Sequence, residues 1–448
     1  MFTQLVLPSL FVGLGVTAAV GIRADFHPFS KFLDEVKQST YKDFSIDVPS
    51  EILFLDAKQD VLSRYGGVLS PSNVKSFFVN DDYYDCIPFL EQPSVHLLKL
   101  AKENLTKPDD SITVPNPDAK DEFGNPLHCT NGTVPIARFN FKKAFKRLRL
   151  TGSASDTPLF PQSITNNTQL TKRGIDIGKD GRKHIHVWTH EEDPSGGITG
   201  ASSVLNVWNP KAFLSFSYIS LSAYPTAARP TRQFVAAGWA KFSGESKPKR
   251  FFYRVTNTND PVATGCYSDT CTDFVQVGPF PVGQTYTTTS TPTPPGTQIE
   301  EELALELRSG EWRLYRVSGG SRTLVGYFPA SIFTSASGAL GTGSGLAQWI
   351  GEVADDRPDH PDVFGEMGSA VKPAPGSTRV DNYGKVAYQR RLSVSASSGV
   401  WRNANTVGAG SEDPFAKCYY IRKAEDQELF WGVHIFFGGK GGVKCDEP

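Results

Sequence analysis

The second half of the chain predicts an all-β antiparallel sandwich, and the first half a small mixed α+β unit in front of it. Three observations carry this. Short segments of alternating or β-branched and aromatic character follow one another from residue 184 onward, with Gly-, Pro-, Ser- and Thr-rich turns between them. The composition holds 41 Gly, 31 Pro and 30 Phe against only 2 Met, which suits strands and turns and argues against a helical bundle. No long helical pattern interrupts this part of the chain. At 448 residues and 39% hydrophobic content, the chain is too long for one ordinary domain and apolar enough to fill a large core.

Charge narrows the function classes. Lys+Arg 46 against Asp+Glu 47 leaves a net charge of -1, so there is no general field to hold nucleic acid or an anionic membrane. The basic run at 141–150 reads as a solvated face or a clamp onto an acidic surface.

Residues 1–21 read as a signal peptide. Leu5 to Gly21 is apolar and uncharged and ends in small residues, although no Lys or Arg precedes it. A spanning helix would need about 20 apolar residues without the interruption at Pro8. The sequence thus predicts an extracellular protein that stays off the membrane once the signal is removed. Six cysteines agree with an oxidising compartment: Cys86, Cys129, Cys266, Cys271, Cys418 and Cys445. Six allow fifteen pairings. Spacing favours a clip of Cys266 to Cys271 and a bracket of Cys418 to Cys445, which leaves Cys86 with Cys129. Zinc at Cys266 and Cys271 is the rival reading, and it would need two further ligands. The sequons at Asn104, Asn131 and Asn166 all precede residue 170.

Residues 25–150 form the first unit. Phe29, Phe32, Leu33 and Val36 recur at helical spacing, and Pro93 opens a second short helical pattern through Leu97. Residues 151–183 are a polar linker. It contains the dibasic pair Lys172 and Arg173, which is where processing proteases of secreted proteins cut. Cleavage there would leave residues 174–448, a suitable length for one large β domain at 184–448. Within it, Leu303, Leu305 and Leu307 alternate with Ala304, Glu306 and Arg308, a clean period of two. Phe216 and Tyr218 alternate with Ser215 and Ser217, and the phase slips at Ile219, which predicts a β-bulge.

A set of short motifs, in order, carries a resemblance. In the first unit these are Asp85-Cys86-Ile-Pro-Phe-Leu-Glu-Gln92-Pro93 and Cys129-Thr-Asn-Gly132. In the second they are Val207-Trp208-Asn-Pro210, Gly238-Trp239, Gly265-Cys266-Tyr267 and Val325-Gly326-Tyr327-Phe-Pro329. Trp349-Ile-Gly351-Glu352-Val353, Met367-Gly-Ser369, Ala387-Tyr388 and Phe437-Gly-Gly439 complete the series. Together they resemble the neprosin family of secreted endopeptidases. The resemblance implies a β-sandwich, an inhibitory N-terminal activation peptide, acid-active cleavage after proline, and two catalytic glutamates with no metal or other cofactor. The implied partners are a peptide or protein substrate, proline-rich peptides included, and the chain's own pro-domain.

Two carboxyls can hydrolyse an amide because, held close, they cannot both ionise. The ionised one takes a proton from water, while the protonated one polarises the carbonyl or protonates the leaving nitrogen. Glu352 occupies the second glutamate position of this pattern. The first falls two residues before Gly238-Trp239, and here that residue is Ala236, which can neither give nor take a proton. Gln233 is the nearest substitute; Glu300 and Glu302 on another strand are further ones. Ile350 also replaces an expected glycine.

Two other functions follow from the same residues. One is a catalytically inactive sandwich that binds peptide, with Trp239, Tyr327 and Trp349 lining a groove; a carbohydrate-binding sandwich is a variant of it. The other is a metal-dependent hydrolase built on His184, His186 and His190, although no helical His-Glu-x-x-His signature is present. No Gly-x-Ser-x-Gly elbow supports a serine mechanism.

Overall fold

The computed structural model describes residues 26–46, 50–97, 105–108, 117–139, 176–177, 183–223, 233–256, 265–268, 271–292, 296–333, 340–355, 363–397, 399–411, 418–426 and 430–443. In the N-terminal unit, α1 (Phe29–Gln38) buries Phe29, Phe32, Leu33 and Val36, the spacing expected of a one-sided helix. It is followed by α2 (Tyr41–Phe44) and α3 (Glu51–Arg64). The Ser50 side chain caps α3 by accepting the Leu53 N–H at 3.3 Å. Strands β1 (Ser76–Val79), β2 (Asp82–Pro88) and β3 (Thr133–Ala137) form a three-stranded antiparallel sheet in that order. A disulfide joins Cys86 to Cys129, and a short helix, α4 (Pro93–Leu97), begins at Pro93.

The second unit runs β4 (Asp176–Ile177), β5 (Lys183–Glu192), β6 (Ile198–Asn206), β7 (Leu214–Ser222), β8 (Phe234–Phe242), β9 (Lys249–Val255) and β10 (Gly265–Tyr267). It continues through β11 (Val275–Gln276), β12 (Glu300–Arg308), β13 (Glu311–Ser318), β14 (Ser321–Phe328), β15 (Leu346–Asp355) and β16 (Val363–Phe364). The last strands are β17 (Ala387–Ala396), β18 (Trp401–Asn403), β19 (Gly410–Ser411), β20 (Tyr420–Glu425), β21 (Val433–Gly438) and β22 (Gly442–Val443). An eight-stranded sheet has the order β10-β9-β8-β7-β15-β5-β19, with β4 beside β5. A nine-stranded sheet has the order β11-β14-β13-β12-β6-β17-β21-β20, with β18 beside β17. The architecture is the expected antiparallel sandwich behind a small α+β unit.

The core between the sheets takes every second residue from each. Val235, Ala237 and Trp239 of β8, and Ala347, Trp349 and Val353 of β15, meet Leu303 and Leu305 of β12 and Ile435 and Phe437 of β21. The two indoles bind across the gap. Trp239 Nε1 donates to the Asn206 carbonyl at 2.9 Å and Trp349 Nε1 to the Ser202 carbonyl at 3.1 Å, both on β6. Gly351 permits this closeness, since a Cβ there would lie 2.2 Å from the Phe437 ring of the facing sheet. Gly238 serves the pairing within its own sheet, where a Cβ would lie 2.0 Å from the Ser217 carbonyl oxygen of β7.

The bulge expected at Ile219 is absent: β7 pairs with β8 and β15 without a register shift. Both faces of β7 are buried, so polarity does not report the face there. Ser217 points inward with Ile219 and receives the Gln389 amide at 3.0 Å. Register shifts occur instead in the β13–β14 and β17–β6 pairings.

Trp349→Ala is expected to cost about 3–5 kcal/mol and Gly351→Ala about 1–3 kcal/mol, read by denaturant unfolding. A pH dependence follows from His434, buried on β21 against the Trp431 and Phe436 rings. Burial holds its imidazole below the ordinary value of 6.5; the Gly432 carbonyl and Asp426 oppose this, while Arg379 and Arg422 reinforce it. The folded state therefore favours the neutral ring. This stabilisation is complete above 6.5 and is lost as pH falls towards the depressed folded value. His434→Leu should flatten that part of a stability–pH curve.

Candidate functional site

The strand pleat decides where the two acid positions point. Trp349 faces inward, so Glu352, three residues on, faces outward from the eight-stranded sheet. Trp239 faces inward as well, so Ala236, three residues before it, shares that outward face with Phe234 and Ala240. The resemblance therefore picks two positions on one surface. Register separates them. Ala236 stands opposite Ser220, which stands opposite Gln348, which stands opposite His190. Glu352 lies in a different row, opposite Phe216 and His186, and Phe216 is opposite Ala240. The rows are four residues apart, about 13 Å along the strands.

Glu352 is fully buried. The Tyr218 hydroxyl donates to its Oε2 at 2.8 Å, and His186 Nε2 lies 3.3 Å from the same oxygen. Phe216 and Phe251 rings stand beside Tyr218. Between the two rows sits Ile350, fully buried and opposite both Tyr218 and Trp188, so the side chain that replaces the expected glycine occupies the space separating them. A carboxyl held by a phenol and an imidazole can exchange protons with either. Tyr218 and His186 escape a reading of sequence as partners of Glu352. Alternation puts Tyr218 on the outward face, but only the pairing of β5, β7 and β15 brings the three together.

Several expected site residues fall elsewhere. Gln233 precedes β8, is buried, and pairs through its carbonyl with the Ala223 N–H. It is on the opposite pleat from Ala236 and seven positions from the row of Glu352, about 23 Å along the strand, so it is no substitute there. Glu300 and Glu302 belong to the other sheet, where they pair with Arg390 and Arg391. Trp239 and Trp349 do not line a groove; both are core side chains, because an indole placed between two sheets buries its whole surface and still satisfies its N–H. Tyr327 is also fully buried and packs with Val275 and Val277 against Phe89, Val95 and Val134 of the N-terminal unit.

Among the described side chains, the histidines do not converge on a metal. His186 goes to Glu352, His190 Nε2 pairs with Glu192 at 3.2 Å, and Glu191 is taken by Arg402 and the Asn405 N–H. The backbone of His184 lies in β5, and its side chain is outside the described set. Cys266 and Cys271 form a disulfide, so neither offers a thiolate to zinc. Cys418 is disulfide-bonded, and Cys445 is outside the described residues. Asn131 is exposed in the turn before β3, whereas Asn104, Asn166, Lys172, Arg173 and the signal segment lie outside the described residues. Among the described residues, no helix is long and apolar enough to cross a membrane.

Fold and site together define a β-sandwich protein with an acid on one sheet face and an N-terminal unit docked at one edge. The sequence profile of the Neprosin family matches residues 213–440, just over half of the chain, and the chain belongs to that family. Among solved structures, scytalido-glutamic peptidase with a transition-state analog inhibitor aligns with a TM-score of 0.30 and 8% identity, covering 57% of this chain and 97% of that one.

Tyr218→Phe removes a donor from the buried Glu352 and should lower stability by about 1–3 kcal/mol in denaturant unfolding.

Proposed function

We propose that this chain is a secreted neprosin-family protein that binds peptides but does not hydrolyse them through the family's acid pair. Family membership supports a peptidase-like architecture with peptide as the substrate class. The observation that carries the loss of hydrolysis is the row through Ala236. Where the resemblance calls for a carboxyl there is a methyl group, and its cross-strand neighbours are Ser220 and Tyr253. Beyond Ser220 the row continues through Gln348 to His190, and no carboxyl stands in it. Proton sharing needs two acids in reach of one water. The carboxyl of Glu352 lies two rows away on that face, beyond Ile350. The outward face also carries the aromatic side chains Phe216, Tyr218, Phe251 and Tyr253, but these are fully buried, so the support for a peptide ligand is family membership. The disulfides Cys86–Cys129 and Cys266–Cys271 and the exposed sequon at Asn131 support an extracellular address.

The test uses the chain cut after Arg173, at acid pH, with a proline-containing peptide. Wild type should bind the peptide, by calorimetry, and leave it intact. Ala236→Glu with Ile350→Gly should also leave it intact, because the added carboxyl lies about 13 Å along the strands from Glu352, too far to share a proton with it. Cleavage by wild type that disappears in Glu352→Gln would overturn the reading and make Glu352 a catalytic residue.

A further inference from the structure

We propose that the N-terminal unit remains on the sandwich as a non-covalent subunit after the connecting chain is cut, held by Gln92 in the role of a missing strand. The argument starts from β11, which is two residues long and the last strand of the nine-stranded sheet. One of its sides pairs with β14, through Val275 with Tyr327 and Gln276 with Gly326. An edge of this kind presents backbone donors and acceptors that need a partner. Gln92 supplies both. Its Oε1 accepts the Gln276 N–H at 2.8 Å, and its Nε2 donates to the Gln276 carbonyl at 3.1 Å. The same Nε2 donates to the Phe89 carbonyl at 2.9 Å, which fixes the carboxamide plane. Gln92 is fully buried, so each of these groups would be stranded without water if the contact opened only partly.

Apolar packing surrounds this clamp. Phe89, Val95 and Val134 from the N-terminal unit close over Val275, Val277 and Tyr327, with Leu105 and Leu324 at the margin. The rim is polar and complementary. The Thr285 hydroxyl donates to Asp82 Oδ2 at 2.7 Å, Lys249 Nζ lies 3.2 Å from the same oxygen, and Arg313 donates to the Thr106 hydroxyl at 3.0 Å. Buried apolar centre, satisfied polar clamp and charged rim are the anatomy of a lasting interface rather than of a tether-dependent contact. None of these contacts involves the connecting residues 151–173. The partner is therefore the chain's own first unit, and the inference stands whether or not the sandwich hydrolyses peptides.

A site-specific protease sequence placed between residues 151 and 171 of the full-length chain allows the cut to be made after folding. Nicked wild type should elute from gel filtration at neutral pH as one peak containing both fragments; separation into two peaks overturns the proposal. Exchange of the bound first unit for a fluorescently labelled copy then tests the clamp. Gln92→Ala should speed exchange about 10-fold or more, and Gln92→Glu should do the same because a carboxylate cannot donate to the Gln276 carbonyl. Lys249→Ala, at the rim, should change it by less than about threefold. Exchange of Gln92→Ala at the wild-type rate overturns the role of Gln92. If that variant fails to fold, Val277→Ser on the sandwich side gives the equivalent reading: faster exchange supports the interface and an unchanged rate sinks it.

Discussion

The pleat of two strands, locked by Trp239 and Trp349, is the constraint on which the rest of this molecule depends. Each indole is buried between the sheets and bonded to a carbonyl of β6. A slip of one residue in β8 or β15 would turn an indole outward and bring its polar or small neighbour into the core, so the register is strongly specified. Once the two tryptophans are placed, every other residue of both strands follows. The outward position of Glu352 and Ala236 is thus a by-product of packing on the other side of the sheet.

Chemistry on the outward face is then a question of rows. Hydrolysis by paired acids requires two carboxyls close enough to compete for one proton. The row of Ala236 runs from the Tyr253 phenol through a methyl, a hydroxyl and a carboxamide to the His190 imidazole, with no carboxyl in it. The row of Glu352 offers the His186 imidazole and the Phe216 ring. Glu352 is nevertheless not an abandoned charge, since Tyr218 and His186 hold it in a buried setting that would otherwise be costly for a carboxylate. These are contacts that keep a polar group in an aromatic sheet face, and they explain how the acid can persist without a catalytic partner.

Much of the fold was legible in the sequence and rather less of the site. The helical spacing of Phe29, Phe32, Leu33 and Val36 became α1, and the period of two at Leu303 and Leu305 became β12. Spacing favoured the Cys266–Cys271 clip, and Cys86–Cys129 followed only as the pair left over. The serine and phenylalanine alternation in β7 misled because both faces of that strand are buried, and Ser217 is accommodated inside by Gln389. Trp239 and Trp349 looked like groove residues because aromatics suit both roles, and composition alone does not separate a core indole from an exposed one. The neighbours of Glu352 come from strands far apart in sequence, and no local pattern encodes how β5, β7 and β15 are aligned.

Two carboxamides mark the difference between what this chain holds together and what it transforms. Gln92 needs both a donor and an acceptor on one planar group to match the N–H and carbonyl of Gln276, and a glutamate in its place would present an oxygen to an oxygen. Gln348 stands in the row where proton transfer would require an acid, and an amide there can orient a substrate group but cannot carry a proton to or from it. The same functional group is therefore well chosen for docking and unsuited by itself to acid–base work. A protein whose edge strand is closed by an amide and whose Ala236 row carries one where an acid would be needed is organised around holding backbone. In that respect the docked first unit and an extended peptide pose the same problem: unpaired N–H and carbonyl groups that need partners in register.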